Sequence, residues 1–540
     1  MHFATVWESI ADAIPELPAI THGDTTRSWG AYDDRSARIA GALDAAGLRP
    51  DSKTALYMYN CNEYMEAQYG TFKTRGVSIN VNYRYLDDEL FYLLDNSDSE
   101  ALFFHSSLGD RVERVVDRLP ELKLLVEVDD GEGVGHVPTA HAYEDVIATS
   151  APMGRIERSE DDVYMLYTGG TTGMPKGVMY ATGGMVRGLL ASGFPLLGLT
   201  LPTDADEIAG IVREAAEAGR RPISIPCAPL MHGTGLWAGC FIPHLAGGHV
   251  ISLTNRSLDP HEVLTTAERH HATIVTIVGD SFAKPMIRAL DEARPDGSAY
   301  DTSSISVILS SGVMWTTEVK EQLLDRIEQA TLVDAMGSTE GAMGNQISTK
   351  GMTSDTARFQ LAPTTKVFTD DDREVTPGSD EVGMVAAGGR VPIGYYKDAE
   401  KSARTFRVID GVRYSFPGDF AQVAADGSLI LLGRGSQVIN TGGEKVFPEE
   451  VEEAVKRVDG VVDCLVVGVP DEKFGHAVTA VVSLADGAIV DSATIITSVK
   501  DDLAGFKAPK SVVFVDQVPR APNGKADYRR AKEYAESATA

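Results

Sequence analysis

The sequence predicts an α/β protein with a large N-terminal multi-sheet domain and a smaller C-terminal α+β domain. Its 540 residues exceed the roughly 250–300 at which a single hydrophobic core stops growing. Over roughly the first 400 residues, short β-branched runs alternate with helical patterns, which is typical of largely parallel sheets covered on both faces. After Gly433 a small polar segment begins, and a different pattern follows it.

The strands of the large domain are predicted from apolar runs that are too short to form helices. Residues 163–167, 273–278 and 305–309 are such runs, and the last two are rich in Val and Ile. Apolar spacing from 317 to 330 predicts a helix after them. The stretch 129–160 is rich in Gly, Pro and acidic residues, so it predicts a surface loop or a linker.

The C-terminal domain is predicted to span residues 438–540. A hinge at 434–437 separates it from the N-terminal domain, residues 1–433. Pro448 suits the first turn of a helix, and an apolar stripe at i, i+3, i+4 and i+7 follows it, formed by Val451, Ala454, Val455 and Val458. Strand-like runs complete the α+β pattern at 461–467, 478–484 and 512–515.

Charge and composition exclude several classes of protein. Lys and Arg number 49 and Asp and Glu 78, a net charge of −29, which disfavours binding to nucleic acid or to an anionic membrane. Residues 1–19 carry three acidic residues and no Lys or Arg, unlike a secretory or transit peptide, and no apolar run is long enough to span a membrane.

The scattered Cys61, Cys227, Cys240 and Cys464 indicate buried thiols in a reducing cytoplasm. The oligomeric state is not predicted.

The most informative segment runs from Tyr167 to Gly177 and follows a predicted buried strand. It contains three threonines, four glycines and one lysine: Thr168, Gly169, Gly170, Thr171, Thr172, Gly173, Lys176 and Gly177. Glycines let successive backbone N–H groups face an anion, while threonine hydroxyls add donors and Lys176 adds a positive charge. The spacing around Lys176 is not that of a Walker P-loop. The segment predicts a phosphate-binding loop; the alternative is a flexible turn without a ligand.

This segment resembles the phosphate loop of the adenylate-forming superfamily, which includes acyl-CoA synthetases, peptide-synthetase adenylation domains and beetle luciferases. Further segments resemble that superfamily's motifs in the same order. They are Ala228-Pro-Leu-Met-His-Gly-Thr-Gly235, Asp334-Ala-Met-Gly-Ser-Thr-Glu340, Gly394-Tyr-Tyr396, Tyr414-Ser-Phe-Pro-Gly-Asp419, Gly433-Arg434 with Asn440-Thr-Gly-Gly-Glu-Lys445, and Pro522-Asn-Gly-Lys525. The resemblance implies a large N-terminal domain, a small mobile C-terminal domain, and ATP, Mg²⁺ and coenzyme A as ligands.

The resemblance also implies roles for individual residues in forming the acyl-adenylate. Thr168, Thr171, Thr172 and Lys176 are expected to hold the β- and γ-phosphates, with Gly169, Gly170 and Gly173 allowing close approach. Glu340 is expected to bind Mg²⁺, and Thr339 a phosphate oxygen. The nucleotide is expected to contact Gly312, Asp334, Met336, Gly337 and Ser338. Asp419 would accept the ribose hydroxyls, with Arg434 beside it.

Three further roles concern the acid and the thiol. Lys525 is expected to neutralise charge on the carboxylate and α-phosphate in the transition state, and His232 to lie near the acid. Coenzyme A is expected to meet Gly442, Gly443, Glu444 and Lys445 after the small domain rotates about residues 434–437. Two positions depart from the superfamily: Met336 stands where an aromatic residue is usual, and Ser436 where Asp or Lys is usual.

The expected acid pocket is apolar and suits a medium-to-long or steroid-type carboxylic acid. Its predicted wall includes Leu236, Trp237, Val313, Met314, Met336 and Met343. The segment Val278-Gly-Asp-Ser-Phe-Ala-Lys-Pro285 also resembles actinobacterial acyl-CoA synthetases. Three other functions stay open at this point: adenylation for a carrier protein, a luciferase-like oxygenase, and a nucleotide-binding protein without catalysis.

Overall fold

The computed structural model divides the chain into two compact units. It describes residues 1–132, 136–170, 173–292, 294, 297–441, 444–471, 475–521 and 525–539. The first unit comprises Met1–Ala342, Gln346–Ser354 and Gly388–Ser415, and the second Met343–Asn345, Asp355–Ala387 and Phe416–Ala540. The second unit therefore holds the predicted small domain together with residues from upstream of it. The predicted hinge at 434–437 concerns movement and stays a prediction.

The first unit contains two sheets dominated by parallel pairing, as predicted. One has the order Thr25–Ser28, Pro18–His22, His249–Ser252, Ile223–Pro226, Ile274–Ile277, Val307–Ser311 and Thr331–Ser338, and only its first two strands pair antiparallel. The other has the order Val77–Asn80, Lys53–Tyr57, Ser99–His105, Leu124–Val128 and His141–Ala142 and is entirely parallel. The strands predicted near 273–278 and 305–309 are thus confirmed with slightly different ends.

Two antiparallel arrangements complete the strands of this unit. Val163–Gly170 pairs with Gly173–Ala181, which also pairs with the short strand Gly394–Tyr395. Phe406–Ile409 and Val412–Ser415 form a hairpin. The strand Gly341–Ser348 has residues in both units. The strand predicted at 163–167 is confirmed and extends to Gly170.

Helices cover the sheets of the first unit. Their bounds are Phe3–Ala13, Trp29–Ala45, Asn62–Lys73, Asp87–Asn96, Gly109–Val116, Tyr143–Thr149, Thr182–Leu196, Asp206–Glu217, Ile242–Leu245, Pro260–His270, Gly279–Asp291, Thr317–Leu324 and Ala399–Thr405, with a 3₁₀ turn at Ser106–Leu108 and a π-helix at Thr234–Phe241. Aromatic side chains of Phe3, Trp7, Phe72 and Phe241 pack together within a hydrophobic core of this unit.

Two predictions for this unit were wrong in extent. The segment 129–160 is not all loop, because Tyr143, Val146 and Ile147 are buried along one side of a short helix. The helix predicted to reach Ala330 ends at Leu324. Ile327 and Ala330 are buried, which accounts for the helix-like apolar spacing of the sequence there. The chain has nevertheless left the helix at these residues and turns towards the strand that begins at Thr331.

The second unit has two sheets, and its C-terminal part agrees with the predicted α+β pattern. The antiparallel strands of one are Arg358–Leu361, Leu429–Arg434, Asp419–Val423, Gly383–Ala387 and Thr365–Phe368. The other consists of Glu444–Val446, Ile439–Thr441, Gly475–Leu484, Val461–Asp471 and Ser511–Phe514. A 3₁₀ turn at Gly435–Gln437 precedes the second sheet, and helices lie at Pro448–Lys456, Ser492–Asp502 and Tyr528–Thr539.

Burial of the cysteines follows the prediction in three cases. Cys61, Cys240 and Cys464 are buried and Cys227 is partly buried; none of the four, all in the described ranges, is in a disulfide. Within those same ranges, no helix combines the length and apolar character needed to cross a bilayer.

Candidate functional site

The predicted phosphate loop joins two paired strands, which place Thr168 opposite Lys176. Of the loop itself, Thr171 and Thr172 lie outside the described residues. The antiparallel register pairs Thr168 with Lys176 and Gly170 with Gly173. The Lys176 ammonium group donates to Asp398 Oδ2 at 2.8 Å. This contact holds the pKa of Asp398 below its ordinary value.

The short strand Gly394–Tyr395 connects this loop to the predicted metal ligand. It pairs with the second strand of the loop, Tyr395 opposite Val178. The Tyr395 hydroxyl donates to Glu340 Oε1 at 2.7 Å, and the Lys176 ammonium lies 5.9 Å from the centroid of the Tyr395 ring. The ring of Tyr395 therefore stands between the predicted phosphate lysine and the predicted magnesium ligand.

The predicted nucleotide segment begins with a buried ion pair. Asp334 Oδ2 lies 3.2 Å from Lys320 Nζ, and the two side chains are 7% and 1% exposed. Lys320 also donates to Gln346. Burial raises the pKa of Asp334 to about 6, although Lys320 opposes the rise. The carboxylate of Asp334 is thus engaged with Lys320, and its contact with a nucleotide stays a prediction.

The remainder of this segment is tied to the loop strands through its backbone. Tyr180, on the second loop strand, donates its hydroxyl to the Thr339 carbonyl at 2.8 Å. The Glu340 N–H donates to Ser338 Oγ at 3.1 Å. Met336 is buried and Gly337 is exposed. The segment that carries Thr339 and Glu340 is therefore held against the strand that carries Lys176.

His232 lies two residues before the π-helix Thr234–Phe241, which the sequence did not predict. π-Helices are rare and occur often at functional sites. His232 is half-buried, and its carbonyl accepts from Leu236 N–H at 2.9 Å. Trp237, in the π-helix, donates to the Tyr164 hydroxyl at 2.6 Å. The His232 segment and the loop strands are thereby linked.

Gly312 occupies the turn that follows the strand Val307–Ser311. Its φ of +92° is one that residues with a Cβ rarely adopt. The neighbouring Ser310 Oγ accepts from the Gly279 N–H at 2.8 Å. The backbone conformation explains the need for glycine here, while a contact between Gly312 and a nucleotide stays a prediction.

In the second unit, the two predicted ribose residues face each other. Asp419 and Arg434 are partners in the antiparallel register, and Arg434 Nε donates to Asp419 Oδ1 at 3.2 Å. Asp419 is buried. Glu449 adds a second carboxylate, which accepts from the Arg434 N–H at 3.4 Å. Burial raises the pKa of Glu449 to about 8, and the neighbouring Glu452 adds to the rise.

The remaining predicted residues of this unit are those expected to meet the carboxylate and coenzyme A. Lys525 and Glu444 are exposed, and the Lys525 carbonyl accepts from the Ala521 N–H at 2.7 Å. Gly442, Gly443 and the side chain of Lys445 lie outside the described residues. The roles of these residues with coenzyme A and the carboxylate stay predictions.

Four side chains of the first unit contact the predicted site residues or one another and were not assigned roles from the sequence. They are Lys320, Tyr395, Asp398 and Lys401. Tyr395 lies in a segment that the resemblance identified, so its aromatic ring could have been proposed. The other three are ordinary charged residues in helical or turn patterns, and only their neighbours in space distinguish them.

Comparison with known families matches nearly the whole chain. The family model described as AMP-binding enzyme matches residues 7–396, and that described as AMP-binding enzyme C-terminal domain matches residues 450–525.

Curated relatives match along nearly their full length. The 3-oxocholest-4-en-26-oate–CoA ligase of Rhodococcus rhodochrous is 40% identical over 538 residues, which is 99% of this chain and 96% of that protein. A medium/long-chain-fatty-acid–CoA/3-oxocholest-4-en-26-oate–CoA ligase of Mycolicibacterium smegmatis is 38% identical over 99% of this chain and 97% of that protein. The medium-chain acyl-CoA ligase Mig of Mycobacterium avium is 38% identical over 98% of this chain and 97% of that protein.

Solved structures share the fold at low sequence identity. The anthranilate CoA ligase AuaEII in complex with anthranoyl-AMP superposes with a TM-score of 0.84 at 20% identity, covering 100% of this chain and 98% of that one. ATP-bound MatB from Rhodopseudomonas palustris gives 0.80 at 22% identity, with full coverage of both chains.

Proposed function

The chain belongs to the AMP-binding enzyme family, and from this premise we propose that it converts a lipid-like carboxylic acid to its coenzyme A thioester. The acid first attacks the α-phosphorus of ATP, which yields an acyl-adenylate and pyrophosphate. The thiol of coenzyme A then attacks the acyl carbon and AMP leaves. The acid is a medium- or long-chain fatty acid or a steroid side-chain acid, the classes named for the relatives at 38–40% identity.

The observation that carries the proposal is the gathering of Lys176 and Glu340 around Tyr395. Adenylation develops negative charge on phosphate oxygens, and groups positioned in advance to meet that charge lower the barrier. Lys176 contacts the carboxylate of Asp398. We expect phosphate oxygens of ATP to replace that carboxylate, because the half-buried ammonium group is already oriented by it.

The donor set at Glu340 fits Mg²⁺. This cation is usually held by one or two carboxylates together with substrate phosphates and water. Over the described residues, no cluster of three or more His, Cys, Asp or Glu side chains could hold a metal alone. The Glu340 carboxylate, oriented by the Tyr395 hydroxyl, would supply one protein oxygen. The bound ion would neutralise phosphate charge.

We assign the ribose and transition-state roles to residues of the second unit. The Asp419 carboxylate can accept from both ribose hydroxyls, and Arg434 orients it. Lys525 would carry a positive charge to the reacting carboxylate and α-phosphate. Gly442, Gly443, Glu444 and Lys445 are the proposed contacts of coenzyme A.

The choice of a lipid-like acid rests on the substrates named for the relatives. The acid-pocket wall predicted from the sequence is apolar, which favours a hydrocarbon tail over a charged substrate. We also place the protein in the cytoplasm, since unpaired cysteines suit a reducing compartment.

The test is a panel of acids scored by AMP release with and without coenzyme A. Fatty acids of increasing length, a steroid side-chain acid and an amino acid would be compared at saturating ATP and Mg²⁺. We expect sustained AMP release only with coenzyme A and a lipid-like acid. Transfer to a carrier protein instead of coenzyme A, or AMP release favouring the amino acid, would reject the proposal.

A further inference from the structure

Lys401 is a second cation beside the loop lysine. It lies in the first turn of the helix Ala399–Thr405, and its N–H donates to Asp398 Oδ1 at 3.0 Å. The other oxygen of the same carboxylate accepts from Lys176 Nζ at 2.8 Å. Asp398 therefore positions both the helix that carries Lys401 and the ammonium group of Lys176.

The two ammonium groups share one aromatic ring. Lys401 Nζ lies 4.8 Å from the centroid of the Tyr395 ring, and Lys176 Nζ lies 5.9 Å from it. The hydroxyl of that ring donates to Glu340. Two cations and the proposed magnesium ligand are thus gathered around Tyr395.

The Lys401 ammonium has a second cation as its neighbour, while the two nearby carboxylates, Asp398 and Glu340, are engaged by Lys176 and Tyr395. Burial, and next the nearby Lys176, lower the pKa of Lys401, while Glu340 and Asp398 act in the opposite direction. Asp398 pairs with Lys176; within the described part of the chain, no carboxylate lies within ion-pairing distance of the Lys401 ammonium. Two neighbouring ammonium groups repel each other. A polyphosphate would bring enough negative charge to compensate both.

We propose that Lys401 binds the β- and γ-phosphates of ATP, and the pyrophosphate product, together with Lys176. This inference rests on the proposed function and adds a residue to its site. Because AMP lacks the β- and γ-phosphates, the contribution of Lys401 should be confined to ligands that carry them. That selectivity separates direct binding from a role in folding.

The test uses Lys401→Met, which removes the charge and retains a flexible apolar side chain. Arg404→Met is the matched control: it removes a positive charge from the same helix, at an exposed position paired with Glu400 at 2.8 Å. Dissociation constants of the full chain for ATP, pyrophosphate and AMP would be measured by titration calorimetry with Mg²⁺. Lys401→Arg tests whether charge alone restores binding.

We expect Lys401→Met to weaken ATP and pyrophosphate about tenfold, the value of one charge-assisted hydrogen bond. AMP binding should stay within about twofold, Arg404→Met should match the wild type, and Lys401→Arg should recover most of the loss. Equal weakening of AMP, or no weakening of pyrophosphate, would overturn the inference. If Lys401→Met does not fold, Lys401→Gln replaces it. A wild-type chain that does not bind ATP would overturn the proposed function as well.

Discussion

Replacing Lys320 by Met should make the stability of the protein depend on pH. Lys320 lies 3.2 Å from Asp334 in an almost completely buried ion pair. Methionine retains much of the length of the side chain and removes its charge. Breaking a buried pair in this way leaves a carboxylate without its counter-charge, which costs about 3–5 kcal/mol unless the carboxylate takes up a proton.

The pH range follows from the raised pKa of Asp334. Burial lifts it from 3.8 to about 6, and Lys320 limits the rise. A group whose folded pKa is raised stabilises the fold fully below the unfolded pKa, and this contribution is lost as pH rises through the folded pKa. Without Lys320 the pKa of Asp334 rises further, so the loss continues above pH 6.

The loss of stability in the variant depends on how far the pKa of Asp334 rises above 6. If Asp334 stays protonated to pH 8 in the variant, two further pH units at 1.36 kcal/mol each give about 2.7 kcal/mol relative to the wild type. At about 2.1 cal/mol/K of unfolding entropy per residue, 540 residues give about 1.1 kcal/mol/K, so this corresponds to roughly 2–3 °C in melting temperature.

The assay is thermal unfolding followed by circular dichroism at pH 6 and pH 8. Lys320→Met should melt about 2–3 °C further below the wild type at pH 8 than at pH 6. Adding Asp334→Asn should remove this extra dependence, because the amide cannot ionise, and Asp334→Asn alone is the control. An equal difference at both pH values, or a double variant with unchanged pH dependence, would refute the reasoning.

Three further predictions concern catalysis. Lys176→Ala should lower turnover at saturating ATP by at least about tenfold while the melting temperature changes little, and a change within about twofold in a steady-state AMP-release assay would remove Lys176 from catalysis. Glu340→Gln should raise the Mg²⁺ concentration needed for half-maximal activity about tenfold in a metal titration, whereas full wild-type activity in excess chelator would exclude the metal role. Lys525→Ala should abolish pyrophosphate release yet still convert a supplied acyl-adenylate to the thioester, and equal loss of both half-reactions would contradict a role confined to adenylation.

The parts of the site that could be predicted are those carried by continuous segments. The glycines and threonines around Lys176, and the Ser-Thr-Glu run that ends at Glu340, each contain a recognisable set of donors within a few residues. The pairing of Asp419 with Arg434 was also within reach, since each lies in its own recognisable segment. The π-helix after His232 could not be predicted, because its apolar sequence does not distinguish it from an ordinary α-helix.

The sequence alone determined the α/β class, several of the strands and helices, the family, and the chemical groups available at each motif. These depend on periodicity and on local loop chemistry, which neighbouring residues specify. The tertiary structure decided which charges meet: Asp398 reaches Lys176 across 222 residues of chain, and Tyr395 reaches Glu340 across 55. Such contacts depend on how separate strands and helices pack, here on the pairing of the strand Gly394–Tyr395 with the second strand of the predicted phosphate loop.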